Sequence, residues 1–472
     1  MLAQVRQHPW ASRWVHLAAV AGLTALAAAL RLYKLGEWSF WIDEAITYFR
    51  ARDLAELPVL RRSVSLVLTH LALQNLGGAE WVARLPSVVA GVITVPVLYW
   101  IGRRLFGLQV GLIGAGLLAL SPWHLYWSQS ARFYTFLLLF HTLALFYFYR
   151  GLEEDRPAHL VASAAFLGLG ILERPLALFL FPLVGLYLAV LFLAVLQRRG
   201  FQRPPGLRVR NLATFFVPAL VLSFVLLAAF PAASNAAARE QLFRWVNSRP
   251  LWILAGAATY TGLPVVCLAL AAMAILFREK SRPGLLFGLN AWVPWIGIAA
   301  VASVQYAANR YVFMSLGSWL ILGAWGLHRI VALLRDRSRI LAFAVVAVVV
   351  VAPLSENTLY FLYQNGNRDD WKGAFELIQS QRLPGDLVFT PDRDLAEYYM
   401  GQGYTGFGQF DPAAVSASGR RAWFVEDSNV EEKWPYQQRW VFENARLVAN
   451  LDVHFQARNF KMRVYLYVPP SD

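Results

Sequence analysis

Apolar segments of membrane length recur along most of this chain, and they constrain its fold more than any other feature. About eleven can be read: Trp14–Leu32, Val82–Ile101, Val110–Trp127, Phe133–Tyr149, His159–Leu172, Leu176–Leu196, Leu212–Phe230, Trp252–Phe277, Leu285–Val304, Tyr311–Leu334 and Ile340–Leu354. Most approach the roughly 20 residues a helix needs to cross the hydrocarbon of a bilayer; the His159 segment is short. Backbone polar groups in hydrocarbon must be satisfied within their own segment, so the segments are predicted as helices of an all-α polytopic membrane domain. With 58% apolar and 15% charged residues, the chain is too apolar for a soluble protein of its size. The basic start and first apolar run look like a signal peptide, but the run is long enough to span and many spans follow, so it is read as a retained first helix.

The formal charge of +14 is patterned by topology. Basic residues gather between apolar segments, at Arg103 and Arg104, Arg150 and Arg156, Arg198 to Arg210, Arg278 to Arg282, and Arg335 to Arg339. Strict alternation from a cytoplasmic N-terminus places all of these clusters on the cytoplasmic side, as the positive-inside rule requires. Without a soluble basic domain to carry them, they do not point to nucleic acid. A single cysteine excludes any intrachain disulfide, and the eight histidines lack the paired spacing of a zinc site.

The same alternation leaves five pieces outside: the loop from Tyr33 to about Trp81, the turns at Gln129–Arg132, Glu173–Arg174 and Asn309–Arg310, and the loop from Pro231 to Pro250. The first loop holds two amphipathic stretches, Asp53–Leu57 and Ser63–Leu76, and the later loop a third, Arg239–Val246. All are too short to span and suit helices lying in the interface. The composition turns globular near Tyr360. A helix is predicted over Trp371–Gln381, a turn at Pro384-Gly385-Asp386, and strands at Leu387–Thr390, Ala422–Val425, Leu447–Val453 and Met462–Val468. The expected division is a membrane domain over 1–358 and a small extracytoplasmic α/β domain over 359–472.

Within the first outer loop the run Trp38-Ser39-Phe40-Trp41-Ile42-Asp43-Glu44 sets two carboxylates among aromatic side chains beside the bilayer. Such groups are costly there unless a cation or a proton meets them; otherwise the aromatics are plain headgroup anchors and the acids merely solvated. Arg132 sits at the outer end of a span, where topology does not favour arginine, and Asn309-Arg310-Tyr311 repeats that arrangement. Arg174 and the pair Arg61-Arg62 add further outer cations. Guanidinium groups so placed suit an anion such as phosphate. Oxygen ligands at Asp43 or Glu44 would suit magnesium or manganese. No nucleotide-binding motif is present.

From Leu35 to Tyr134 the chain resembles the C-type superfamily of integral membrane glycosyltransferases, in the branch of protein O-mannosyltransferases and lipid A aminoarabinose transferases. The matching pieces are Trp41-Ile42-Asp43-Glu44-Ala45, Arg84-Leu85-Pro86-Ser87, Gly102-Arg103-Arg104-Leu105-Phe106-Gly107, and Ser121-Pro122 followed by Ser128-Gln129-Ser130-Ala131-Arg132-Phe133-Tyr134. Where relatives often carry a His-Pro-Pro-Leu or Lys-Pro-Pro-like element, this chain reads Arg61-Arg62-Ser63-Val64, so the arginines would replace a phosphate-binding lysine. The resemblance implies a polyprenyl-phosphate-sugar donor and a lipid, glycan or protein acceptor, in a multi-pass protein of a bacterial-type plasma membrane.

On that reading Asp43 is the base for the acceptor hydroxyl, and Arg132, Arg310, Arg61, Arg62 and Arg174 are the phosphate contacts. Gln129, Tyr134, Tyr311 and Trp41 are the expected substrate contacts. Three roles are open to Glu44: binding sugar hydroxyls, orienting Asp43 or helping to hold a cation. A phosphate is already a good leaving group, so single displacement with inversion is expected. The competing class is a transporter or lipid flippase, which would place its polar site near the bilayer midplane instead of gathering it at one face.

Overall fold

The computed structural model describes residues 9–196, 200–228, 249–455 and 458–470. The expected helix at Arg239–Val246 lies outside them. Among the described residues eight helices are long and apolar enough to cross a membrane, or ten if each of two bent pairs is one crossing. The remaining expected segment is the 17-residue helix Pro157–Glu173.

The membrane helices are α1 (Pro9–Leu32), α4 (Glu80–Phe106), α5 (Leu108–Leu120), α6 (Pro122–Ser128), α7 (Tyr134–Glu153), α8 (Pro157–Glu173), α9 (Leu180–Leu196), α10 (Val209–Ala228), α11 (Pro250–Thr261), α12 (Leu263–Arg278), α13 (Arg282–Val301), α14 (Leu316–Arg335) and α15 (Arg339–Leu362). Between α1 and α4 lie α2 (Ile42–Arg52) and α3 (Val64–Leu76). Ser63 caps α3, accepting from the Leu66 N–H, and Leu68 and Leu71 on this helix are exposed, as an interfacial helix requires. Within Asp53–Leu57 the helix is a single 3-10 turn, Leu54–Glu56, that follows α2, and α2 has the acidic pair in its first turn.

Two expected crossings are broken. Helices α5 and α6 meet at 60°, and α11 and α12 at 101°. Pro122 and Pro264 each sit in the first turn of the second helix, where their missing N–H ends the preceding ladder. At the first break the stranded carbonyls are met by Arg31 of α1, which is fully buried: Nη1 donates to Ala119 O (3.1 Å), Nη2 to Leu118 O (3.1 Å) and Nε to Ser128 Oγ (3.2 Å). Asn357 of α15 donates to Leu120 O at 2.8 Å. The kink, though inside a membrane segment, is thereby satisfied by side chains.

Charged groups collect at both ends of the bundle. At one end Arg150 holds Glu154, Arg208 pairs with Asp155 at 3.1 Å, and Arg282 pairs with Glu153 at 2.6 Å, joining the α7–α8 turn to the starts of α10 and α13. The other end holds the acidic pair, α2, α3 and the C-terminal domain.

Helix α15 runs to Leu362, past the boundary expected at 358, and the C-terminal domain begins with α16 (Trp371–Gln381). Its strands are β1 (Leu387–Thr390), β2 (Thr405–Gly406), β3 (Ala422–Asp427), β4 (Arg446–Asn450), β5 (Val453–Phe455), β6 (Arg458–Phe460) and β7 (Met462–Tyr467). Five form a sheet in the order β2-β1-β3-β7-β4, parallel across β2-β1-β3 and antiparallel beyond, while β5 and β6 pair as a separate hairpin. Alternate residues pack opposite faces: Val388, Trp423, Val425, Val464 and Leu466 join Trp371 and Phe375, whereas Phe389, Phe424 and Tyr465 join Phe407 and Phe410. The first cluster also takes in Phe40, Ala45, Ala83 and Ala131 of the membrane domain, so one apolar core spans the junction.

Candidate active site

The acidic pair opens α2, where the exposed N–H groups of a helix start favour negative charge. Adjacent helical residues point about 100° apart, so the two carboxylates face different surroundings.

Glu44 turns inward and has no exposed surface. Arg84, at the start of α4, meets it side-on: Nε to Oε1 at 2.8 Å and Nη2 to Oε2 at 2.9 Å. Ala131 N–H donates to Oε1 at 2.7 Å, and Arg368 Nε to Oε2 at 3.2 Å. Four donors occupy the four lone-pair positions of the carboxylate. Burial opposes its charge, but Arg84, Arg368 and the Ala131 N–H outweigh burial and hold its carboxyl below the ordinary value. Arg84 directs its remaining N–H groups to the carbonyls of Leu35, Trp38 and Ser39, which fixes the entrance to α2.

Asp43 turns the other way and is 28% exposed. Arg132, in the turn between α6 and α7, donates from Nη1 to the Asp43 carbonyl (2.8 Å) and to Thr47 Oγ1 (2.9 Å), and its Nη2 lies 3.6 Å from Asp43 Oδ2. Arg310, in the 3-10 turn Asn309–Ser315 before α14, brings Nη2 to 3.9 Å from the same oxygen. Both guanidinium groups lie over the Trp41 ring, at 5.9 and 5.6 Å from its centroid. Arg174, between α8 and α9, stacks on Phe133 at 4.6 Å and makes no ion pair among the described residues. Burial, and then the like charge of Arg132, lowers its pKa from the usual guanidinium value. Tyr134 and Tyr311 lie within electrostatic reach of both Arg310 and Arg174.

Two guanidinium groups thus face one carboxylate, and a third, Arg174, lies beside Arg132, a net positive site at one end of the bundle. The Nε atoms of Arg132 and Arg310 and Nε1 of Trp41 are buried without a hydrogen-bond partner among the described residues. Buried donors of this kind ordinarily carry a partner. The arrangement can hold an anion beside an accessible carboxylate.

Other expected residues lie elsewhere. Gln129 is fully buried; its Nε2 donates to Arg31 O and Tyr33 O, and its Oε1 accepts from Tyr360 Oη at 2.7 Å, so its amide is engaged in holding the helices together. Arg62 donates to the carbonyls of Leu57 and Ala55 in its own loop, and Arg61 is exposed on the turn Val59–Arg61. At the acidic pair, where a divalent cation was one expectation, the lone pairs of Glu44 are filled by four donors and Asp43 faces two guanidinium groups. Among the described residues no three His, Cys, Asp or Glu side chains converge. Arg84, visible in the sequence only as the start of the Arg84-Leu85-Pro86-Ser87 piece, has no expected site role there, and neither has Arg368. An arginine opening an apolar span was a usable signal for Arg84; Arg368 lies in a polar stretch that reads as solvated.

The family model described as dolichyl-phosphate-mannose-protein mannosyltransferase matches residues 64–217. No curated protein matches the chain by sequence. Among solved structures, ArnT from Cupriavidus metallidurans bound to undecaprenyl phosphate is 15% identical, with a TM-score of 0.62 over 98% of this chain and 100% of that one. The oligosaccharyltransferase of Archaeoglobus fulgidus in the apo form is 13% identical, with a TM-score of 0.59 over 92% and 72% of the two chains. The arabinofuranosyltransferase AftD from Mycobacteria is 16% identical, with a TM-score of 0.50 over 98% and 40%. The chain has the fold of these structures.

Proposed function

We propose that the chain is a membrane glycosyltransferase that moves a sugar from a polyprenyl-phosphate donor to an acceptor hydroxyl at the outer face of a plasma membrane. The observation that carries this reading is the convergence of Arg132 and Arg310 on Asp43, with Arg174 beside them. The lipid phosphates named with two similar structures support this choice of lipid: undecaprenyl phosphate bound to ArnT, and dolichol phosphate in complex with the archaeal oligosaccharyltransferase.

In this reaction the acceptor oxygen attacks C1 of the sugar as Asp43 takes its proton. The bond from C1 to the phosphate oxygen breaks, and the electron pair leaves on the phosphate. Arg132, Arg310 and Arg174 neutralise the charge that gathers there. Single displacement inverts the anomeric centre. No metal is assigned to any step. Glu44 acts through its neighbours, holding α2 so that Asp43 faces the arginines. The N-terminus is cytoplasmic and the C-terminal domain lies outside, over the same end as Asp43. A transporter is the weaker reading because the charged cluster lies at the end of the bundle instead of its midplane.

The test is mass spectrometry of cell-envelope glycans, lipids and glycoproteins with and without the chain, then with Asp43→Asn. The amide keeps the shape and removes the base, so a modification present with the native chain should disappear. An unchanged product with Asp43→Asn removes Asp43 from the chemistry.

A further inference from the structure

Arg368 lies beyond α15, in the polar segment that leads into the C-terminal domain, yet its side chain is almost completely buried in the membrane-side site. All five of its N–H groups are engaged. Nε meets Glu44 Oε2 at 3.2 Å; Nη2 donates to Gln129 O and Ser130 Oγ, both at 2.8 Å; and Nη1 donates to Gly366 O at 2.6 Å and Tyr360 Oη at 3.3 Å. Glu44 is the neighbour of Asp43, and Ser130 stands two residues before Arg132. One guanidinium therefore ties together the strand of chain that carries the carboxylate and the turn that carries an arginine of the anion site. Ala131 N–H to Glu44 and Arg132 to the Asp43 carbonyl close the ring.

The segment that delivers Arg368 is shaped for the task. Asn365, Gly366 and Asn367 all have positive φ. At Gly366 (φ +59°) an added Cβ would fall 2.7 Å from the Trp38 ring, so backbone here lies directly on the residues leading to the acidic pair. Ser39 Oγ donates to Asp369 O at 2.6 Å, fastening the same segment one residue further on.

We infer that Arg368 is a positioning residue: docking of the C-terminal segment sets the spacing between Asp43 and Arg132, and so the affinity for the lipid phosphate, although Arg368 touches neither the phosphate nor the reacting atoms. This rests on the phosphate reading of the Asp43, Arg132 and Arg310 cluster. Misplacement by a fraction of an ångström in such a site is worth roughly tenfold or more.

The experiment measures binding of undecaprenyl phosphate to the purified full-length protein in nanodiscs, alongside its thermal midpoint. Arg368→Lys keeps the charge opposite Glu44 but cannot bridge five acceptors; it should stay folded and bind about tenfold more weakly or worse. Arg368→Gln should bind no better. Arg52→Ala removes a different tie between α2 and the C-terminal domain, the pair with Glu397, and should leave binding unchanged. Binding by Arg368→Lys within about twofold of the native protein overturns the inference, as does an equal loss with Arg52→Ala, which would mean that any loosening of the junction suffices. Arg132→Ala and Arg310→Ala in the same assay separate the two readings: native binding by both sinks the phosphate site itself.

Discussion

Glu44 and Arg84 form a two-point ion pair, at 2.8 and 2.9 Å, in which neither side chain reaches solvent. Removing one partner of a buried pair leaves the other charge uncompensated, at a cost of about 3–5 kcal/mol. Glu44→Gln, which leaves two buried guanidinium groups without their counter-ion, should therefore lower the thermal midpoint far more than Asp43→Asn. Scanning fluorimetry in detergent compares the two; equal midpoints would show that the pair adds no net stability.

The same carboxyl makes an acid limit predictable. Its folded-state pKa is held below its ordinary value of 4.5 by Arg84, Arg368 and the Ala131 N–H against the opposing effect of burial. Its contribution to stability is thus fully present above about 4.5 and is lost as pH falls through the lower, folded value. Midpoints measured from pH 7 down to pH 3 should fall within that acidic window, and Glu44→Gln should flatten that part of the curve.

Arg132→Ala and Arg310→Ala should each weaken donor use, since a charge-assisted hydrogen bond is worth about 1.5–3 kcal/mol, or roughly ten- to a hundredfold. Lysine at either position should recover only part, because it keeps the charge without the fork. The initial rate against donor concentration is the measurement. Normal donor affinity in both alanine variants would move the phosphate elsewhere.

Gly256 of α11 allows the helix backbone to lie against the Asn309 amide, which a Cβ at that position would strike. Gly256→Val should push the Asn309–Arg310 turn aside, cost about 1–3 kcal/mol and reduce donor affinity. A variant that binds undecaprenyl phosphate normally would show that the turn adapts.

Reporter fusions test the orientation. One placed after Leu362 should be active only outside the cytoplasm, and one in the Arg198 to Arg210 loop only inside. The reverse result would put Asp43 on the cytoplasmic face.

Arg132 and Arg310 are legible in the sequence because each is a charge beside an aromatic residue at the end of an apolar run, where nothing about topology explains it, and Asp43 because it belongs to an acidic pair in an aromatic-rich stretch of the first outer loop. Glu44 was legible as part of the same pair but not in its role: two neighbours on a helix diverge, and only the position of Arg84 decides which faces the core. The role of Gln129 is illegible for a related reason, since a polar residue in an outer turn can serve substrate or backbone alike, and here its amide meets Arg31 O, Tyr33 O and Tyr360 Oη. Arg368 carried no local signal, because its meaning comes from Glu44, 324 residues away. The spans were visible as apolar length, while the 60° and 101° bends were not; Pro122 and Pro264 mark where a ladder stops, and the direction after the stop depends on what collects the freed carbonyls.

Phe40, Ala45, Ala83 and Ala131 share a single apolar cluster with Trp371, Phe375, Trp423 and Leu466. The C-terminal domain is for that reason not a detachable module. A graft of this domain onto another membrane body, or of another domain onto this one, would have to carry both halves of the interface together. The domain can be exchanged between proteins of this fold only along with the part of the first outer loop that carries Phe40 and Ala45.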